Sequence, residues 1–458
     1  MQKISIVFTL LALLTLPLSS QETDANTPLH LSRPDYPVPY GMPAVEDIEN
    51  VLTRVYGYLE MSTPAAVVNE GNGQVYASVN DIRATDQVAF QQADFRLVSY
   101  EWGVTYAGML SAAASTGDAK YGDYVTDRMR LLADLYPIAK GFEGKESFRH
   151  PMGSVLHPHA LDDAGAICAA MIKAKRAGFE GDLDPMIDNF IDYISNGQQR
   201  LDDGTFARNR PMTNSLWLDD LFMSVPALAQ AGAYTGDDQY FHDGVKQILQ
   251  FSERMFDADK GLYSHAWIEG MDNHPQYHWG RANGWAIMTM VELLEVLPED
   301  HEGREEVLAY LRKHIEGLAR NQSPQGLWHQ LLDRNDSYLE TSATAIFTYA
   351  IARAINKGYV DAKVYGPVVT LAWNALSTQV NDRGQVTNTC VGTGMGFDPA
   401  FYYYRPVNVY AAHGYGPVLL AGAEMITLLE NSFARMNDSA VQFYDHEIPG
   451  DAPIFEEN

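Results

Sequence analysis

The seven residues Trp279-Gly280-Arg281-Ala282-Asn283-Gly284-Trp285 hold two indoles, a guanidinium and an amide. That mixture makes a poor solvent face for a helix. A guanidinium offers a rigid fork of donors matched to a carboxylate. An indole offers an apolar platform that suits the C–H face of a sugar. Gly280 and Gly284 permit an irregular turn and close approach of a ligand. Trp279, Arg281 and Trp285 are therefore candidate binding residues; the competing reading is a helix start with tryptophan as core filler.

Carboxyl groups come in two pairs. In Trp217-Leu218-Asp219-Asp220-Leu221-Phe222-Met223, the residues Leu218, Leu221, Phe222 and Val225 form a helical stripe with both aspartates at its edge. Adjacent helical residues point about 100° apart, so at most one of the pair faces a cleft directly. Among Trp, Leu and Phe such a group is expected to be partly desolvated, which raises its pKa and suits a proton carrier. The alternative is that both cap a following helix, with Pro226 in its first turn.

The second pair stands in His157-Pro158-His159-Ala160-Leu161-Asp162-Asp163-Ala164-Gly165, where Asp163 precedes Asp219 by 56 positions. Two carboxylates sharing a pocket push their pKa values apart, which separates acid from base. An N-cap at Asp162 followed by a helix from Ala164 to Ala174 is an equal reading of the pair.

Other chemistries find less support. His265, in Tyr263-Ser264-His265-Ala266-Trp267, either projects into a site or is a satisfied core histidine. His274 and His278 have His-x-x-x-His spacing, but Pro275 argues against a regular helix there, and no metal site is expected. No Gly-x-Ser-x-Gly elbow or phosphate loop occurs. Cys168 and Cys390 allow at most one disulfide and exclude a Cys-rich zinc site. Lys plus Arg number 32 and Asp plus Glu 59 in 458 residues, a net charge of −27 that argues against nucleic-acid and anionic-membrane partners.

The elements that must position these residues are helical. A stripe of Ile48, Val51, Leu52, Val55 and Leu59 predicts one helix, and helical patterning dominates from Val98 almost to residue 432. Thr116-Gly117-Asp118 recurs as Thr235-Gly236-Asp237. A second glycine element recurs at Gly204, Gly261, Gly326 and Gly384, with spacings of 57, 65 and 58. A unit of about 60 residues accommodates two helices and two loops. Each such glycine is expected to end a helix with positive φ, ahead of a short extended stretch. Six hairpins of this kind predict an all-α (α/α)6 barrel; the alternative is an open solenoid of the same unit. Helices apolar on more than one face, such as Ala286–Leu297, favour closure.

At the N-terminus, Lys3 precedes a mostly apolar run from Ile4 to Leu18 and then Ser19-Ser20. This describes a secretory signal peptide and export to periplasm or medium. The expected organisation is a signal peptide over 1–20, a proline-bearing surface leader over 21–43, the barrel over 44–440 and an acidic tail over 441–458.

With these residues in view, the sequence resembles the unsaturated rhamnogalacturonyl hydrolases, glycoside hydrolase family 105. The likeness rests on the 217–223 and 279–285 segments, Gly326-Leu327-Trp328-His329-Gln330 and Tyr338-Leu339-Glu340-Thr341-Ser342-Ala343. It implies an (α/α)6 barrel acting, without metal or organic cofactor, on oligosaccharides left by polysaccharide lyases. Such products end in a 4,5-unsaturated uronic acid. Carried over residue by residue, the resemblance makes Asp219 the proton-transferring group and Asp163 its partner. It makes Arg281, Trp279, Trp285 and His265 substrate contacts, with Tyr100 or Trp102 as an aromatic at the start of the barrel. The chain departs from the family's pattern at Arg208-Asn209-Arg210, where a histidine is usual, and two guanidinium groups there suit a sulfated neighbouring sugar.

Three other readings remain open on sequence alone. An inverting glycosidase on saturated glycans needs two carboxyls about 6.5–9.5 Å apart. A sugar epimerase of similar architecture is expected to show two pocket histidines. An exported glycan-binding protein needs only Trp279, Trp285 and Trp328.

Overall fold

The computed structural model describes residues 23, 25–26, 39–274, 276–436 and 441–447. The predicted signal peptide, most of the leader and the chain beyond 447 lie outside the described residues. Twelve helices make the body: α1 Val45–Ser62, α2 Tyr100–Thr116, α3 Ala119–Phe142, α4 Leu161–Arg176, α5 Asp184–Asp192, α6 Val225–Thr235, α7 Asp238–Met255, α8 Gly280–Val296, α9 Arg304–Arg320, α10 Thr341–Asn356, α11 Ala362–Ser377 and α12 Tyr415–Asn431. Helices α2, α4, α6, α8, α10 and α12 pack side by side in that order, and α12 closes on α2. Outside them, α3, α5, α7, α9 and α11 each pack on the inner helix they follow, and α1 packs on α12. This is the closed (α/α)6 barrel.

Burial explains which helices go inside. Every residue of α8 from Gly280 to Leu294 is buried, as is every residue of α10 from Thr341 to Ile355. The outer α7 instead buries one stripe, including Phe241, Val245, Ile248, Phe251 and Met255, and leaves its charged face in water. Each such large apolar side chain contributes roughly 1.5–3 kcal/mol on burial. Gly165 shows how closely α4 meets the chain leading into α6: a Cβ there would lie 1.8 Å from the Met223 carbonyl oxygen.

The Thr-Gly-Asp repeat is a paired stop and start. Gly117 and Gly236 take φ of 69° and 74° and end α2 and α6. The next residue, Asp118 or Asp237, caps the following outer helix by accepting the Lys120 or Gln239 N–H, each at 3.1 Å. The second glycine element is placed differently from its expectation. Gly204, Gly261, Gly326 and Gly384 all have positive φ, but they form turns after the outer helices have ended. Gly261, for example, turns the short hairpin of Phe256–Asp257 with Leu262–Tyr263. These turns lie on the connections from outer to inner helices, the same end of the barrel at which all six inner helices begin.

After α12 the chain forms a hairpin, Phe433–Met436 paired with Val441–Tyr444. The segment expected to open an acidic tail at 441 is therefore a strand. Its alternation buries Val441 and Phe443, and Phe443 packs against Gly366 of α11. Among the described residues no helix is long and apolar enough to cross a membrane.

Candidate active site

Strand pairing brings the first two site residues together. Ser215–Trp217 runs antiparallel to Ala266–Ile268, with Trp217 opposite Ala266. Asp219, two residues beyond one strand, therefore meets His265, the residue just before the other. Asp219 and Asp220 sit in a single 3-10 turn, Leu218–Leu221, and α6 begins only at Val225. The turn replaces the expected helical stripe and decides which carboxyl faces the mouth. Asp220 is fully buried, while the Asp219 side chain is 14 % exposed.

His265 braces Asp219. Its Nε2 lies 3.0 Å from Asp219 Oδ2 and its Nδ1 lies 2.7 Å from the Tyr402 hydroxyl. That hydroxyl accepts the Gly396 N–H at 3.0 Å. The ionised Asp219 can only accept, so Nε2 carries the imidazole proton, and Tyr402 donates its own proton to Nδ1. Asp219 Oδ1 has no hydrogen-bond partner among the described residues and is open to a ligand. Burial pushes the Asp219 carboxyl up, but His265, Arg208 and Arg281 outweigh it and hold the group below its ordinary value. The expected desolvation is present; the expected rise in pKa is not, because the His265 N–H and two guanidinium groups converge on this side chain.

Arg208 also differs from its expected role. It donates from Nε to both oxygens of Asp220 at 2.8 Å, from Nη1 to Asp162 at 2.9 Å, and from Nη2 to Asp162 at 3.1 Å and to Asp220. Burial pushes Asp220 up to about 6 against the pull of Arg208. The guanidinium is spent on tying α4 to the 218–221 turn and is not free for an anionic sugar. Arg210 is the open one: its side chain is 63 % exposed, 3.7 Å from Asp162. The two arginines lie 5.0 and 5.1 Å from the Trp217 ring.

Asp162 thus serves Arg208, whereas the residue at the N-cap of α4 is Ala160. Asp163 accepts the His159 backbone N–H at 3.1 Å and lies 2.8 Å from its Nδ1. With Tyr193, Gln198, Asn209 and Arg210 it lines a cleft of about 570 Å³ beside the mouth.

The 279–285 segment starts α8, and its side chains turn inward. Arg281 is almost fully buried and donates to Ser342 Oγ at 3.2 Å, the Cys390 carbonyl at 2.8 Å and the Val391 carbonyl at 2.7 Å. It acts on Asp219 by charge, with its fork largely occupied by the loop. Trp279 packs 4.8 Å from the His265 ring and Trp285 stacks on Phe222 at 4.9 Å, so neither indole is an open platform. The half-buried Trp217 is the indole left at the mouth. Of the two aromatics at the start of α2, Trp102 is fully buried on Phe95, and Tyr100 meets Trp285 edge-on at 6.4 Å.

Sequence reasoning missed four residues here. Tyr402 sits in an aromatic run, Phe401-Tyr402-Tyr403-Tyr404, that could have drawn notice. Glu340 is fully buried; it caps α10 through the Ser342 and Ala343 N–H groups and holds the Cys390 N–H at 2.8 Å. Glu101 and His413 stand beside Tyr100. Glu101, Glu340 and His413 stand at the N-terminal ends of inner helices, whose dipoles present partial positive charge to the mouth. Among the described residues no group of three or more His, Cys, Asp or Glu is placed to hold a metal ion.

Residues 73–429 match the family model described as Glycosyl Hydrolase Family 88, and the chain belongs to that family. It is 32% identical over 211 residues to the unsaturated rhamnogalacturonyl hydrolase YesR of Bacillus subtilis, covering 46% of this chain and 59% of that protein. It is 31% identical over 215 residues to an unsaturated 3S-rhamnoglycuronyl hydrolase of Alteromonas sp., covering 46% of this chain and 51% of that one. The matched region thus spans little more than half the length of these curated relatives. A solved structure from Klebsiella pneumoniae, described as a possible member of the GH105 family, shares the fold: TM-score 0.68 at 24% identity, covering 86% of this chain and 99% of that one. An unsaturated glucuronyl hydrolase from Bacillus sp. GL1 shares it with TM-score 0.54 at 15% identity, over 82% and 96%.

Proposed function

We propose that this protein removes a non-reducing-end 4,5-unsaturated uronic acid from lyase-generated oligosaccharides by hydrating the C4=C5 bond. The observation that carries the reading is Asp219, with one oxygen braced by His265 and Tyr402 and the other open to the mouth. The names of the two curated relatives support the same chemistry.

The double bond is a vinyl ether. Asp219 delivers a proton to C4, leaving a cation at C5 that the ring oxygen stabilises. Water adds at C5 and returns a proton to Asp219. The resulting hemiketal opens and releases the aglycone. One carboxyl performs both transfers, so a second catalytic acid is not required. In the free protein Asp219 is held ionised by its positive neighbours. An arriving substrate carboxylate offsets their field and raises the Asp219 pKa, so the proton is taken up with the substrate.

Arg210 and the cleft at Asp163 extend the reading to the aglycone. An exposed guanidinium there favours a sulfated neighbour of ulvan type, and the relatives' names favour a rhamnose linkage; parallel turnover of sulfated and desulfated disaccharides would decide the first. The apolar run Ile4–Leu18 supports export, tested by the N-terminus of the mature protein.

Asp219→Asn is the decisive variant. It should lower kcat by about 10²–10⁴ with the fold intact. The assay follows loss of the enol-carboxylate ultraviolet absorbance. Wild-type rates in the variant, or tight binding with unchanged absorbance in the wild type, would overturn the proposal.

A further inference from the structure

Two tyrosine–histidine–carboxylate chains flank the mouth, and they run in opposite directions. In the first, Asp219 faces the mouth and Tyr402 is buried behind His265. In the second, Tyr100 faces the mouth and Glu101 is buried behind His413. The Tyr100 hydroxyl lies 2.7 Å from His413 Nε2, and Glu101 Oε1 lies 3.6 Å from the same nitrogen. The side chains of His413 and Glu101 are only 5 % and 8 % exposed. The hydration chemistry above uses neither of them.

Where the imidazole proton sits decides what Tyr100 can do. Burial, with Arg281 and Arg96 nearby, holds His413 well below its ordinary value, so the ring is neutral and carries one N–H. Its Nδ1 is buried without a partner among the described residues. Buried N–H groups without partners are rarer in proteins than under-satisfied acceptors, so the bare nitrogen belongs at Nδ1. The Glu101 carboxylate stands beside Nε2 and attracts the proton to that side. With the proton on Nε2, His413 donates to the Tyr100 oxygen. The phenol, kept protonated by burial, then has its own O–H free to point elsewhere. Its surroundings are Trp285, edge-on at 6.4 Å, and the charges of Arg281, Asp162 and Asp219.

We propose that His413, with its Nε2 proton fixed by Glu101, is a positioning residue that turns the hydroxyl proton of Tyr100 toward the substrate carboxylate. This rests on the reading that the substrate ends in a uronic acid. The chain of donors, imidazole to phenol to carboxylate, strengthens each link. It also gives the substrate a donor beside Arg281, three of whose N–H groups are taken up by Ser342, Cys390 and Val391.

The test is a double-mutant cycle on a lyase-generated unsaturated disaccharide, with kcat and KM measured for wild type, Tyr100→Phe, His413→Leu and the double variant. Each single change should cost about tenfold to a hundredfold in kcat/KM, the scale of a hydrogen bond to a charged group. In the Tyr100→Phe background, His413→Leu should add less than about twofold, since both act through one hydroxyl. His413→Gln, whose amide can still donate to Tyr100, should retain most of the activity. Equal losses from His413→Leu in both backgrounds would overturn the proposal and make His413 merely structural. Should His413→Leu not fold, His413→Asn completes the cycle, because its shorter amide cannot reach. Calorimetric Kd values for the same disaccharide run the cycle without turnover. Binding without turnover by the wild type would overturn the hydration reading alone; the Kd cycle would then decide the relay, non-additive losses supporting it and additive losses overturning it. No binding by the wild type would overturn both.

Discussion

At the scale of single residues, the site is governed by who holds whose proton. Asp219 is depressed chiefly against burial by His265, with Arg208 and Arg281 adding to the pull. A proton donor that is mostly ionised works best on the acidic side, so kcat/KM should fall as pH rises above the Asp219 pKa. His265→Gln removes the largest of the lowering influences. The carboxyl should then move up, and the descending limb of the kcat/KM profile should move to higher pH with it. A limb that stays in place would detach Asp219 from the proton-transfer step. The motif itself, Trp217 to Met223, was legible in the chain. The sign of the pKa shift was not, because its causes stand 46 residues away at His265 and on other elements of the barrel.

At the scale of elements, the site depends on how closely two pieces of backbone approach. Helix α4 lies against the 223 carbonyl at Gly165, and the same contact region carries the Arg208 bracket between Asp162 and Asp220. Gly165→Ala forces a Cβ to within 1.8 Å of the Met223 oxygen unless the backbone moves. It should cost at least about 1–3 kcal/mol, read as a lowered unfolding midpoint, and should lower kcat by displacing the Asp219 turn. Gly122→Ala is the control: it lies within α3, and its added methyl would meet only the Ala113 Cβ at 4.0 Å. That change should leave activity intact and stabilise by about 0.5–1 kcal/mol. A loss of stability from both would mean that packing at Gly165 is nothing special. The Thr-Gly-Asp caps at these helix ends were readable from sequence because Gly and Asp each answer a local backbone requirement.

At the scale of the whole molecule, the two ends of the barrel differ. The mouth gathers the starts of the inner helices. The opposite end carries a network in which Arg353 of α10 pairs with Glu295 of α8 and Glu424 of α12. Lys173 of α4 pairs there with Glu292, which also accepts the Tyr349 hydroxyl at 2.5 Å. Four of the six inner helices are tied by these side chains. Arg353→Met should destabilise by about 3–5 kcal/mol, since it removes the cation shared by Glu295 and Glu424 and leaves Glu424 only the Asn356 amide. Lys173 and Arg353 hold the Glu295 carboxyl of the same network below its ordinary value, so the deficit should be full at neutral pH and shrink as acid protonates that group. Chemical denaturation at two pH values checks both the size and the sign; a pH-independent deficit would mean that the lost packing, and not the charge, matters.

The linear chain by itself determined the helix count, the turns and the acidic and aromatic motifs, because caps, glycine turns and apolar periodicity answer to neighbours a few residues away. The tertiary structure alone decided which of two adjacent aspartates faces the mouth, that Arg208 and Arg281 are engaged within the protein, and that Tyr402 stands behind His265 and His413 beside Tyr100. His265 meets Tyr402 across 137 positions and Tyr100 meets His413 across 313. Contacts at that separation exist only once the ring of inner helices has closed, and no local pattern encodes them.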